Sequence, residues 1–100
     1  MIEVNENAFK IMRKLSSTCL VMFGGSWCQP CKKMKPIVEE VSDEMPGVNF
    51  AYADAGLGGE WVRHIKTLPT FEIWKDGRKI SARVGAMTKR EICDWIGSVE

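Results

Sequence analysis

The chain has 100 residues, 45% hydrophobic and 27% charged, with 14 Lys and Arg against 13 Asp and Glu for a net charge of +1. That length is expected to make a single domain over residues 1–100, able to bury a core without metal or disulfide staples. The near-neutral balance gives no electrostatic reason to expect nucleic acid or an anionic membrane as partner, and no apolar run approaches membrane-spanning length.

From the N-terminus, Ile2 to Val4 is expected as a short edge strand. Asn5 is expected to cap a helix carrying Ala8, Ile11, Met12 and Leu15 on one face. Residues 19 to 24, Cys-Leu-Val-Met-Phe-Gly, form an unbroken apolar run suited to a strand buried on both faces. A helix follows at or near Cys28, because Met34, Ile37, Val38, Val41 and Met45 recur at amphipathic spacing. Pro36 removes one backbone hydrogen bond inside it and is expected to kink it, and Pro46-Gly47 stops it. Val48 to Asp54 reads as a strand in which Val48, Phe50 and Tyr52 share a face. Gly56 to Gly59 is a loop, and Glu60 to His64 one or two helical turns. Thr70 to Lys75 and Lys79 to Val84 flank Asp76-Gly77, the signal of a type I′ hairpin. Thr88 and Glu91 form a capping box for a last helix that buries Ile92, Trp95, Ile96 and Val99.

The stretch Trp27-Cys28-Gln29-Pro30-Cys31 places two thiols three residues apart where the apolar strand gives way to the helix. Unpaired N–H groups and the positive end of the helix dipole favour thiolate there, which makes Cys28 a candidate nucleophile. A structural zinc half-site is the competing reading of such a pair. No second pair follows, and Cys19, Cys93 and the lone His64 have no ligand spacing around it, so no metal is expected. Cys19 and Cys93 are expected as core or boundary hydrophobes, Trp61, Trp74 and Trp95 as packing residues, and His64 as an exposed residue at a helix end. Lys32, Lys33 and Lys35 form a solvated helix face.

These residues resemble the thioredoxin family. Trp27-Cys28-Gln29-Pro30-Cys31 is similar to its pattern Trp-Cys-Gly-Pro-Cys with Gln29 in place of Gly, Leu68-Pro69-Thr70 to its cis-proline loop, Lys75-Asp76-Gly77 to its hairpin turn, and Val84-Gly85-Ala86 to its substrate-flanking segment. The resemblance runs from about Ile2 to the C-terminus. It implies the thioredoxin α/β fold: a single mixed sheet of about five strands flanked on both faces by about four helices.

It also implies a protein-disulfide reductase with Cys28 and Cys31 catalytic and no cofactor beyond their reversible disulfide. Trp27, Pro30, Leu68, Pro69, Gly85 and Ala86 would bind substrate. Partners would be disulfide-containing proteins and a thioredoxin reductase or another electron donor, met by a monomer. Residues 1 to 4 lack the basic and apolar regions of a signal peptide, so a cytoplasmic location is expected, where such a pair is catalytic rather than structural. The alternative is a thioredoxin-fold binding module within a larger enzyme complex, with redox chemistry secondary.

The chain departs from the family pattern at several positions. Met22 stands where the family carries a buried Asp, and Phe50 aligns with the Lys that accompanies it. Asp54 is then a candidate proton-handling substitute. Gly24 replaces a family Trp beside the motif, and Thr67 a common Gly, which would narrow the rim slightly.

Overall fold

The computed structural model describes residues 1–100, with β1 (Ile2–Val4), α1 (Glu6–Met12), β2 (Cys19–Gly24), α2 (Gln29–Glu44), β3 (Asn49–Asp54), β4 (Thr70–Lys75), β5 (Arg78–Val84) and α3 (Lys89–Val99). Single 3-10 turns at Ala55–Leu57 and Glu60–Val62 lie between β3 and β4. The strands form one mixed sheet in the order β1-β3-β2-β4-β5, parallel across its first three strands and antiparallel from β2 to β5. The expectation of about four helices is corrected to three α-helices. The segment beginning at Glu60 closes only one 3-10 turn, because positive-φ glycines at 58 and 59 precede it and no side chain caps it.

Two apolar layers sandwich the sheet. Leu20, Met22, Phe50, Tyr52, Phe71 and Ile73 face α2 and α3, meeting Met34, Val38 and Val41 of one and Ile92, Trp95 and Ile96 of the other. Val21, Phe23, Ala51 and Ala53 face the other way, toward Phe9, Trp61 and Val62. All six residues of β2 are buried, as a central strand covered on both sides requires. The alternation along β3 divides large from small: Phe50 and Tyr52 enter the first layer while Ala51 and Ala53 let the second approach closely. Phe23 meets Phe9 edge-on at 5.9 Å and Trp61 at 6.4 Å. Truncating so enclosed a ring costs about 3–5 kcal/mol.

The face expected for α1 is corrected. Phe9 is its buried residue, with Ala8 and Met12 partly buried against the same layer, whereas Ile11 is 67% and Leu15 41% exposed. The large aromatic side chain dictates the rotation of a helix only two turns long. Its Asn5 cap holds, the side chain accepting the Ala8 N–H at 2.9 Å. The helix stops at Met12, and the chain beyond it is tied to the hairpin: Asp76 N–H donates to the Leu15 carbonyl and Gly77 N–H to that of Arg13. Asp76 and Gly77 both have positive φ, 55° and 78°, as a type I′ turn demands.

Thr88 and Glu91 close both halves of the capping box of α3, and the hydrogen bond from the Thr88 N–H holds the Glu91 carboxyl below its ordinary value. No helix is long and apolar enough to cross a membrane.

Candidate active site

Strand β2 ends at Gly24, and a short turn, closed by the Cys28 N–H on the Gly25 carbonyl at 3.1 Å, delivers Cys28 to the start of α2. Cys28 is the cap residue itself, with extended backbone, and its sulfur accepts the Cys31 N–H at 3.2 Å. A backbone donor and the positive end of a 16-residue helix therefore both act on Cys28 Sγ. Pro30 occupies the first turn, where its missing N–H leaves no helical bond unmade. Cys28 and Cys31 are joined in a disulfide, with Cα atoms 5.2 Å apart. Cys28 is 8% exposed and Cys31 2%, so the first sulfur is the one a partner can reach.

A cleft of about 520 Å3 opens beside this bond. It is lined by Trp27, Cys28, Gln29 and Pro30 on one side and by Ala55, Val62, Ile65, Lys66 and Leu68 on the other. Trp27, 63% exposed, lies over two glycines: a Cβ on Gly25 or Gly56 would sit 2.9 or 2.7 Å from its ring. The Leu68-Pro69 peptide is cis and Pro69 is buried. Gly85, at φ 97°, donates its N–H to the Pro69 carbonyl at 2.8 Å and so ties the 84–86 segment to the proline loop.

Of the residues expected to bind substrate, Trp27, Pro30 and Leu68 line the cleft; Pro69, Gly85 and Ala86 do not. Gln29, Ala55, Val62, Ile65 and Lys66 were not foreseen there. A signal for part of that wall exists in the chain, since Val62, Ile65 and Leu68 recur every third residue.

Below the disulfide, Met22 is fully buried. The β2–β3 register pairs it with Tyr52, while Phe50 pairs with Leu20 one pleat away. Met22 and Phe50 thus lie on the same face of the sheet, diagonal neighbours in one apolar layer. Asp54 caps the first 3-10 turn by accepting the Gly56 N–H at 2.8 Å, which engages one of its carboxylate oxygens in holding the loop. Burial, the Asp54 and Glu3 charges together push the Tyr52 phenol above its ordinary value, burial most. Burial pushes the Cys19 thiol up to about 11, and Cys93 is half-buried on α3.

His64 does not stand alone. Its Nε2 lies 2.6 Å from Glu72 Oε2 on the face opposite the thiols. Glu72 is 1% exposed and also accepts the Trp74 indole N–H at 2.8 Å, with Lys79 Nζ at 3.6 Å. Sequence reasoning passed over Glu72 because a single Glu in an apolar strand carries no pattern of its own.

The thioredoxin family model matches residues 1–98. Thioredoxin from Rickettsia conorii is 32% identical over 80 residues, 77% of this chain and 76% of that protein. Thioredoxin-like 3-3 from Arabidopsis thaliana is 32% identical over 79 residues, 79% of this chain, which spans only 63% of that protein's length. The crystal structure of oxidized mitochondrial thioredoxin 3 from Saccharomyces cerevisiae superposes with a TM-score of 0.87 at 25% identity, covering 98% of this chain and 94% of that one. The match over nearly the whole chain, and a disulfide at the start of α2 on the same fold, show that the chain belongs to the thioredoxin family of thiol–disulfide oxidoreductases.

Proposed function

We propose that the chain reduces disulfides in partner proteins through Cys28 and Cys31. The observation that carries this reading is a disulfide at the helix start, its outer sulfur held by a backbone N–H and opening onto the cleft between Trp27 and Leu68. In the reduced protein the Cys28 thiolate attacks one sulfur of the partner's disulfide; that bond breaks, and the partner's other sulfur leaves as a thiolate. Cys31 gives up its proton and attacks Cys28 Sγ, the mixed disulfide breaks, and the second partner thiolate departs. Two electrons have passed to the partner and Cys28–Cys31 is closed. No cofactor beyond the two cysteines is needed.

Trp27, Pro30 and Leu68 offer apolar walls to an extended partner segment, and the Pro69 loop with Gly85 and Ala86 frames its path. The protein acts as a monomer in a reducing cytoplasm, recharged by a thioredoxin reductase or another dithiol donor. Gln29-Pro30 lacks the histidine that stabilises the thiolate in more oxidising relatives, so the pair is a reductant at about −270 to −220 mV rather than near −120 mV.

The test is a disulfide-reduction assay with a protein substrate. Cys28→Ser abolishes turnover and Cys31→Ser accumulates the mixed disulfide, because attack survives while resolution does not. Multiple turnovers by Cys28→Ser would overturn the assignment of the attacker. Unimpaired partner binding by the double variant, with no disulfide chemistry in the wild type, would assign a binding module instead.

A further inference from the structure

Tyr52 reaches from β3 to the underside of the disulfide, and Gly24 on β2 is what lets it. A Cβ at Gly24 would lie 2.9 Å from Tyr52 Cε1, 3.0 Å from the Tyr52 hydroxyl oxygen and 3.3 Å from Cys31 Sγ. The hydroxyl and the inner sulfur thus converge on one small space that any other residue at position 24 would fill. The Lys35 ammonium sits over the Tyr52 ring, 4.1 Å from its centre. The ring is 7% exposed and belongs to the same packed layer as Cys31, so its aim is set by packing.

We infer that the Tyr52 hydroxyl donates a hydrogen bond to Cys31 Sγ whenever that sulfur carries negative charge. Cys31 bears charge twice in the cycle. It attacks Cys28 Sγ as a thiolate, after its proton has gone to solvent; and it leaves as a thiolate when an incoming dithiol donor attacks Cys28 and the Cys28–Cys31 bond breaks. In the first step the Cys31 lone pair becomes the Cys28–Cys31 bond and the partner's sulfur leaves with the old bond pair; in the second the Cys28–Cys31 bond pair ends on Cys31 Sγ. The phenol keeps its proton in both, so nothing beyond the partner disulfide and the dithiol donor takes part. The phenol is protonated at neutral pH, and burial with the Asp54 and Glu3 charges pushes it further above its ordinary value; an O–H so held can donate, and a hydrogen bond to a charged acceptor is stronger than a neutral one. The charged groups around the phenol are Lys35 on α2, Asp54 on β3 and Glu3 on β1.

This inference rests on Cys31 being the resolving thiol, and one experiment separates the two. The reduced full-length protein, with Cys93→Ser so that only the active-site pair responds, is mixed with an aromatic disulfide that releases a coloured thiolate. Stopped-flow absorbance then resolves a first release, from attack by Cys28, and a second, from attack by Cys31 on the mixed disulfide. Absence of the second release in this parent protein would refute the resolving role itself. With both releases present, Tyr52→Phe is expected to slow the second by about ten-fold, to move its pH midpoint upward by about one unit, and to leave the first unchanged. Phe keeps the ring beneath Lys35, and the unchanged first release shows that the site is intact. A second release with parental rate and midpoint, or equal slowing of both releases, would overturn the role of Tyr52.

Discussion

Met22 on β2 lies directly beside Tyr52 on β3, both within the layer that supports the disulfide. A carboxyl group placed at position 22 would enter a fully buried, apolar site. Desolvation would raise its folded pKa above the unfolded value of about 3.9. The penalty of Met22→Asp is then smallest below the unfolded pKa, grows as pH rises through the interval to the folded pKa, and levels off above it. It grows by about 1.4 kcal/mol for each unit of separation. A loss from replacing a packed Met remains at every pH. Adding Tyr52→Lys recovers part of the pH-dependent loss, and adding Phe50→Lys recovers less, because Phe50 is paired with Leu20. Denaturant unfolding of the singles and doubles at several pH values measures both couplings.

Gly56→Ala tests the seat of Trp27. The new methyl group would stand 2.7 Å from the indole ring, which is exposed enough to swing away. Unfolding free energy should change by less than about 1 kcal/mol. KM for a protein disulfide should rise several-fold, since one wall of the cleft is lost. Steady-state kinetics and denaturant unfolding on the same preparation check this, and an unchanged KM would mean that Trp27 needs no such support.

The buried Glu72 carboxylate has three donors or cations around it, from His64, Trp74 and Lys79. Glu72→Gln keeps an acceptor for the indole N–H and removes the buried carboxylate, and the His64 and Lys79 side chains it leaves behind are already half-exposed. It should cost about 1 kcal/mol or less. His64→Ala removes the closest donor and leaves the carboxylate in place, at about 1–3 kcal/mol. Chemical unfolding at neutral pH should rank His64→Ala as the more damaging; the reverse order would show that the His64 hydrogen bond contributes little to holding the buried carboxyl group.

Cys19 and Cys93 should differ sharply toward an alkylating reagent. With its thiol pushed to about 11 and no exposed surface, Cys19 stays protonated and unreactive at neutral pH in the folded protein. Cys93 should be modified first, and Cys19 only on unfolding. Mass spectrometry of oxidised protein, in which Cys28 and Cys31 are protected, follows both sites over time. Modification of Cys19 at the Cys93 rate under native conditions would contradict the buried strand.

The features legible in the chain alone are those written by local rules. The unbroken apolar run of β2, the stripe of α2, the Asp76-Gly77 turn and the Thr88–Glu91 box each depend on residues a few positions apart, and each appears where the pattern puts it. The thiol pair was legible for the same reason, because spacing and a helix start are both local. What tertiary structure decided depends on segments distant in sequence. Phe9, rather than the Ile11 and Leu15 stripe, turns α1 inward because the aromatic rings of β2 and of the 3-10 turn lie across from it. Lys66 joins the cleft because the chain after β3 folds back beside the start of α2. Tyr52 lies directly opposite Met22 and Phe50 diagonal to it because strand register is set by the packing of both faces at once, and a period of two along β3 gives Phe50 and Tyr52 the same face without saying which one lies opposite a given residue of β2.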